Sequence, residues 1–345
     1  MGDGNIKKIN LKALSKQQLE SFIKEYGLPS FRSKQVLHWI YEKYVQSIED
    51  ITELSKDLRE RLSENAYISN LELLDRQVSK DGTEKFLFGL EDGETIESVL
   101  IPDEDRLTLC ISSQVGCAMA CRFCLTGQLG LRRNLKSHEI IDQIISVSRL
   151  KERAITNIVL MGMGEPLSNF DNVVEALWRT TDLMKISQRR ITLSTSGIVP
   201  KILELPLKAP LINLAISLNA TTDEVRDYIM PINKTYPIKE LLNACRKFPL
   251  PQRKRITFEY VLLKNINDSP DDAKRLINLL TGIPSKINLI PFNPYEGSEF
   301  QRPDDMQVLN FQGVLIKGHI TAIIRKSKGQ DIMAACGQLR ARYMA

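Results

Sequence analysis

Residues 107–127 read LTLCISSQVGCAMACRFCLTG. The first seven are a β-strand candidate. The whole stretch holds four of the chain's six cysteines. Three of them, Cys117, Cys121 and Cys124, are spaced C-x3-C-x2-C, one thiolate short of a closed tetrahedral metal site. The fourth, Cys110, stands upstream in the strand itself. The cysteine loop therefore follows the C-terminal end of a strand, where α/β barrels place their catalytic loops.

Downstream of Ile155, short β-branched runs alternate with amphipathic segments. The strand candidates are ITNIVLMGM (155–163), RRITLSTSG (189–197), LINLAISLNA (211–220), RITFEYVLL (255–263), KINLIPFNP (286–294) and ITAIIRKS (320–327). Helix candidates stand between them. The first opens SHEIIDQII at Ser137, with an apolar stripe at Ile140, Ile141, Ile144 and Ile145 and with Ser137 placed to cap it. FDNVVEALWRTTDLM, PIKELLNACRKF, SPDDAKRLINLLTGI and DDMQVLNFQGVLIKG follow. This alternation implies an α/β body with a parallel sheet and right-handed crossovers. About six strand–helix units fall short of a full eightfold barrel. A partial barrel and an open doubly wound sheet both fit.

The first hundred residues read differently. SKQQLESFIKEYG (15–27) is a helix that Ser15 can cap and Gly27 can end. SFRSKQVLHWIYEKYV (30–45) and SIEDITELSKDLRERLSENA (47–66) are two more. Residues 71–102 alternate polar and apolar, and Asp-Gly pairs at 81–82 and 92–93 mark hairpin turns. The expected division is a helical module at 1–70, a β-meander at 71–102, an α/β core at 103–332 and a C-terminal segment at 333–345.

With 43% hydrophobic and 26% charged residues, the 345-residue chain has the composition of a soluble globular protein. No apolar run approaches the length of a membrane helix. The N-terminus lacks the apolar core of a secretory signal, so a cytoplasmic protein is expected. Met1-Gly2 opens like an acylation site, but Ile6 stands where that motif requires Ser or Thr. Six cysteines are too few for a disulfide scaffold, and their clustering points to metal or redox chemistry. The net charge of +5 is concentrated in LRRNLK (131–136), RLKER (149–153), SQRR (187–190), PQRKR (251–255) and RKSKG (325–329). Each alone suits a solvated surface; together they suit a polyanion such as RNA.

Zinc sites pair C-x2-C knuckles or add histidines. Here one C-x2-C stands with Cys117 alone, and His38, His138 and His319 are scattered. An iron–sulfur cluster takes cysteine thiolates readily. With three protein ligands, a 4Fe–4S cluster keeps one iron open, which suits catalysis. The C-x3-C-x2-C spacing, with Phe123 before the last cysteine, resembles the radical S-adenosylmethionine (SAM) superfamily. MGMGEPLSN (161–169), LSTSG (193–197), ISLNA (216–220), PINKTYPI (231–238), KINLIPFNP and AACGQL (334–339) narrow the match. With FRSKQVLHWIY (31–41) and CISSQVGC (110–117), they resemble the RlmN/Cfr family of RNA methyltransferases, closer to its RlmN branch. The resemblance runs from Leu28 to Leu339.

That resemblance implies a partial (β/α)6 radical SAM barrel and methylation of adenine C2 in 23S rRNA and tRNA. C8 methylation is the family's alternative, and a non-enzymatic iron–sulfur RNA-binding module is the reading from another class. The resemblance implies Cys117, Cys121 and Cys124 as cluster ligands. It implies Gly164, Glu165, Ser194, Ser217, Leu218, Asn219 and Asn293 as SAM contacts, with two SAM molecules per turnover. Asn219 departs from the family's usual histidine. Cys336 would carry the methyl group as S-methylcysteine. Once its carbon has joined the adenine, Cys110 would attack the Cys336 sulfur, forming a disulfide and releasing the base. Glu97 is the candidate acceptor of the C2 proton, a role for which Cys110 competes. The implied partners are 23S rRNA, tRNA and an electron donor such as flavodoxin, with no membrane and a monomeric chain. The target base must leave its stack to reach the barrel interior. The N-terminal module and the basic clusters are the expected RNA grip. Cys245 has no matching role and reads as core.

Overall fold

The computed structural model describes residues 8–151 and 154–340. The Met1-Gly2 start, residues 152–153 of the RLKER cluster and the last five residues of the C-terminal segment lie outside the described residues.

Three helices build the N-terminal module: α1 (Lys16–Glu25), α2 (Phe31–Tyr41) and α3 (Lys56–Asn65). Ser15 caps α1 reciprocally with Gln18, each side chain accepting from the other's backbone N–H. Gly27 ends it in a left-handed conformation at φ 70°. The single helix expected over 47–66 is broken. A 3-10 turn at Ile48–Asp50 comes first, and Ser55 then caps α3. The short strands β1 (Ile9–Asn10) and β2 (Ala66–Tyr67) pair in parallel and close the module. A buried ion pair between Lys12 and Asp142, 2.6 Å, fastens it to the body.

The body is one ten-stranded sheet. Its antiparallel part is β3 (Glu72–Val78), β4 (Glu84–Gly89) and β5 (Thr95–Asp103). The Asp-Gly pairs turn as expected: Ser79 N–H donates to Thr83 O and Leu90 N–H to Glu94 O, both 2.8 Å. Gly82 and Gly93 take the left-handed position in these loops. Strand β5 pairs with β6 (Arg106–Cys110), so the meander continues the sheet of the body.

From β6 the sheet is parallel: β9 (Asn157–Leu160), β10 (Ile191–Thr195), β11 (Asn213–Ser217), β12 (Ile256–Leu262), β13 (Ser285–Pro291) and β14 (Ala322–Ile324). Sequence order and spatial order coincide throughout. A doubly wound sheet reverses its order at a switch point, so the sheet is a partial barrel. Six strand–helix units are followed by the edge strand β14. The crossovers carry α5 (Ser137–Arg149), α6 (Phe170–Asp182), α7 (Val199–Lys208), α8 (Asp223–Ile229), α9 (Ile238–Lys247), α10 (Pro270–Leu280) and α11 (Asp305–Lys317). The Ile140, Ile141, Ile144 and Ile145 stripe of α5 is buried, as its spacing predicts. Ser137 is not the cap: it lies inside the first turn. Lys136 holds the cap position, where its N–H donates to the Glu139 carboxylate at 2.7 Å. Helices α7 and α8 were not anticipated. Cys245 is buried in the main core, as expected.

Candidate active site

Between β6 and α5 the chain forms a small antiparallel pair, β7 (Gln114–Gly116) with β8 (Leu131–Asn134), and a single turn of helix, α4 (Leu125–Gln128). The pair clasps the cysteine loop. Gly116 is left-handed (φ 76°), and a Cβ there would lie 1.9 Å from the Gly130 carbonyl oxygen, so only glycine permits the clasp. Cys117 N–H donates to Gly130 O at 2.9 Å, and Cys124 N–H donates to Cys121 O at 3.1 Å. All three cysteines line a cavity of about 160 Å³ at the C-terminal end of the parallel strands, with Phe123 beside them.

Burial pushes the Cys117 thiol up to about 12 and raises Cys121 and Cys124, with the neighbouring thiols adding to the shift of Cys121. Among the described residues no three His, Cys, Asp or Glu side chains converge as the ligands of one ion do. A four-iron cluster takes its thiolates at separate corners, so thiols spread around one cavity fit a cluster better than a zinc ion.

Gly162, Gly164, Glu165, Ser194, Ser217, Asn219, Asn293 and Cys336 face this same cavity. The two glycines are fixed by packing as well as by ligand approach. A Cβ on Gly164 would stand 2.5 Å from the Gln114 Cβ, and one on Gly162 2.7 Å from the Ile111 carbonyl oxygen. Glu165 is buried and accepts from Leu167 N–H (3.0 Å) and Ser196 N–H (2.7 Å). Burial raises its carboxyl from the ordinary range. No cation pairs with it among the described residues, so it is poised for a positively charged ligand.

Asn219 occupies the left-handed region (φ 56°), where asparagine is among the better-tolerated residues. Its Oδ1 accepts from Val261 N–H at 2.8 Å, and its carbonyl accepts from Asn267 Nδ2 at 2.7 Å. Its side chain therefore serves the loop, which accounts physically for an asparagine here. Leu218 is fully buried outside the cavity and contributes backbone alone: its carbonyl accepts from Arg226 Nε at 3.0 Å.

The C-terminal segment is laid against the cysteine loop. Leu125 N–H donates to Gly337 O and the Thr126 hydroxyl to Leu339 O, both 2.7 Å. Asn293 Nδ2 donates to the Cys336 carbonyl at 3.3 Å. Asp331 accepts from the Ser79 hydroxyl at 2.5 Å, so the first meander turn anchors the same segment. Cys336 consequently borders the cavity just described and also a smaller one that it shares with Cys110. Burial pushes Cys110 up to about 12, and the Cys336 thiol adds to this. Cys336 is exposed as a residue, but desolvation of its thiol raises it too. Glu97 is buried on β5 but lines neither cavity. It pairs with Lys85 at 3.3 Å and accepts from Arg340 N–H at 2.7 Å, holding the end of the segment.

Three residues built into the site escaped the sequence reading. Glu259 on β12 faces the cavity and accepts from the Ser194 hydroxyl at 2.7 Å and the Ser217 hydroxyl at 3.4 Å. Its signal was a lone acid within an apolar strand. Arg325, counted among the surface clusters, instead lines the smaller cavity beside Cys110 and Cys336. Arg226 is fully buried and donates to the carbonyls of Ser196 (2.6 Å), Ser217 (3.2 Å) and Leu218, tying two strand ends of the site together. Nothing in its local sequence, DEVRDYI, marks it.

Residues 9–68 match the ribosomal RNA large subunit methyltransferase N-terminal domain, and residues 111–279 match the radical SAM superfamily. The chain is 53% identical to the dual-specificity RNA methyltransferase RlmN of Geotalea uraniireducens, over 98% of both chains. It is 54% identical to that of Pelobacter propionicus, over 98% of this chain and 97% of the other. The crystal structure of a radical SAM methyltransferase from Sphaerobacter thermophilus superposes with a TM-score of 0.92 at 40% identity, covering 97% of this chain and all of that one.

Proposed function

The chain belongs to the RlmN family of dual-specificity radical SAM RNA methyltransferases, and from that premise we propose that it methylates adenine C2 in both 23S rRNA and tRNA. When bound, the 4Fe–4S cluster and SAM, two SAM molecules per turnover, supply the methyl group and a hydrogen-abstracting radical. Cys117, Cys121 and Cys124 would hold the cluster. Glu165 binds the cationic part of SAM, and Ser194, Ser217, Asn219 and Asn293 shape the rest of its pocket with the backbone of Gly164 and Leu218. Phe123 excludes water.

Cys336 carries the methyl group as S-methylcysteine, and Arg325 partly offsets the burial that disfavours its thiolate. The carbon on Cys336 then becomes bonded to the adenine, and the C2 proton passes either to Glu97, which lies outside both cavities, or to Cys110, which shares a cavity with Cys336. Cys110, as its thiolate, attacks the Cys336 sulfur. The bond from that sulfur to the base's carbon breaks with its electron pair on carbon, which takes a proton to become the methyl group. The resulting disulfide is reduced by the electron donor before the next turnover. The N-terminal module contributes to RNA binding. An electron donor such as flavodoxin, a monomeric chain and a cytoplasmic setting complete the proposal; no helix among the described residues is long and apolar enough to cross a membrane.

The observation that supports this reading most is the position of Cys336, on a wall shared by the cysteine-lined cavity and the Cys110 cavity. The test is nucleoside mass spectrometry after anaerobic reaction with SAM, reductant and RNA. The expected product is 2-methyladenosine. 8-Methyladenosine would replace C2 by C8, and unmodified RNA from cluster-loaded protein would overturn the proposal.

A further inference from the structure

The loops leading from a helix into strands β10 to β14 read LMKISQRR (183–190), KAPLI (208–212), KFPLPQRKR (247–255), TGIPSK (281–286) and KGHIT (317–321). Together they contain ten Lys and Arg and no Asp or Glu, so the β10–β14 side of this end is cationic, whereas the turn into β6 at the same end carries Asp103, Glu104 and Asp105. All five loops precede their strands and therefore stand at the end opposite the catalytic cavity. Loops at the cavity end, such as LKNINDSPDD (263–272) and FNPYEGSEFQRPDD (292–305), carry several carboxylates. The run of unbroken positive charge thus belongs to the β10–β14 side of that end.

Helix dipoles favour cations in a last turn, which accounts for Lys208, Lys247 and Lys317. The dipole does not reach Arg189, Lys254, Arg255 or Lys286, which lie past the helix ends, at or just before the start of a strand. Neutral groups join these cations into a strip. Asn213 donates to the Arg189 carbonyl at 2.8 Å and accepts from the Lys254 ammonium at 2.9 Å. Arg255 donates to the Thr321 hydroxyl at 2.9 Å. Lys286 is half-buried beside them, and burial together with Arg255 and Lys254 pushes its ammonium down. Among the described residues no ion pair neutralises Arg189, Arg190, Lys254 or Arg255. Crowded like charges are unfavourable until an anion joins them.

We propose that this face is a second RNA-binding surface, gripping the phosphate backbone of the substrate at the end of the barrel remote from the chemistry. The proposal rests on the RNA-methyltransferase reading above. Five strands about 4.8 Å apart give a strip roughly 19 Å long, enough to follow several consecutive phosphates. It continues along the rim of a surface cavity whose wall includes Lys151, Lys185, Arg189 and Arg190. An electron-delivering protein is a poor fit. Strands of five to seven residues set roughly 17–23 Å of barrel between this face and the cysteines. A folded RNA is large enough to touch both ends.

The test combines Arg189→Gln, Lys254→Gln and Arg255→Gln, three side chains at the surface or close to it, with thermal melting as the check on folding. Binding is measured at several salt concentrations for two RNAs: a 23S rRNA fragment holding the target adenosine within its flanking helices, and the isolated target hairpin. The expected result is at least a tenfold loss of affinity for the fragment. The slope of log affinity against log salt falls by about 2 to 3, while hairpin binding and hairpin methylation are unchanged. Fragment binding with unchanged affinity and slope would overturn the surface, as would equal losses for both RNAs. Weakened binding of flavodoxin with RNA binding intact would assign the face to a protein instead. Failure of the unsubstituted protein to methylate either RNA would overturn the functional reading on which the surface rests.

Discussion

Cys110 closes strand β6 and Cys336 lies in the C-terminal loop, yet both thiols border one small cavity with Arg325 in its wall. Neither is in a disulfide in this state. If the pair resolves a protein–RNA link, Cys110→Ala should stop after the first turnover and leave RNA attached to Cys336. The adduct is read as a denaturant-resistant band on a gel, absent in the Cys110→Ala/Cys336→Ala double variant. Multiple turnovers by Cys110→Ala would remove its resolving role.

Glu97 separates two roles that sequence alone runs together. Its carboxylate accepts the Arg340 N–H, a contact that the amide oxygen of glutamine can also make. Glu97→Gln therefore keeps the Arg340 contact, loses the Lys85 ion pair and removes the proton acceptor, so thermal melting must show that the fold tolerates the lost pair. A general base contributes about 10²–10⁴-fold, so methylation should fall by that order with substrate binding intact. Near-normal turnover of Glu97→Gln would reduce Glu97 to a positioning residue.

Lys12 and Asp142 are almost wholly buried, and burial disfavours both charges, lowering Lys12 and raising Asp142. Removing one partner strands the other. Lys12→Met should cost about 3–5 kcal/mol, whereas Lys12→Met with Asp142→Leu should lie within about 2 kcal/mol of the original protein. Urea denaturation of the single and double variants checks this. Equal losses in both would mean that the pair is a net stabiliser of the module's docking.

Much of this architecture was legible in the sequence because parallel strands and amphipathic helices impose distinct periods, and the cysteine spacing located the cavity mouth. Gly116 and Gly164 were legible as motif letters, but the reason for them is steric and appears only when Gly130 and Gln114 come into view. The choice between a partial barrel and a doubly wound sheet needed strand order, which no local pattern encodes. The break at Ile51–Leu54 was missed because the apolar spacing of 47–66 is helical on both sides of it. Arg226, Glu259 and the true setting of Arg325 depend on contacts between distant strands, so no window of sequence could contain them.

His138 gives the fold a defined acid sensitivity. Burial at the start of α5 pushes its imidazole down to about 4 from an ordinary value of 6.5. Between those values the unfolded chain holds a proton that the folded chain lacks. Stability is therefore complete above about pH 6.5 and declines as pH falls towards 4, by about 3 kcal/mol in all. His138→Asn should flatten this part of the stability profile, measured as the denaturation midpoint at pH 7 and pH 4.5. An unchanged profile would place the acid sensitivity elsewhere.

Arg226 ties strand ends of the site together. Its guanidinium is buried, with its pKa lowered by that burial to about 10, and it meets three carbonyls and Asn233 Oδ1. Those carbonyls belong to the ends of β10 and β11, beside Ser194 and Ser217. Arg226→Ala leaves them buried without donors and should cost about 3–5 kcal/mol. Arg226→Lys restores the charge but not the planar fork, so it should recover less than half of the loss. If the fold survives in Arg226→Lys, SAM affinity should drop more than RNA affinity, because the displaced strand ends line the cofactor cavity. Calorimetric titration with SAM and RNA-binding measurements on that variant distinguish the two, and an equal drop in both would mean that the clamp supports the whole barrel rather than the site.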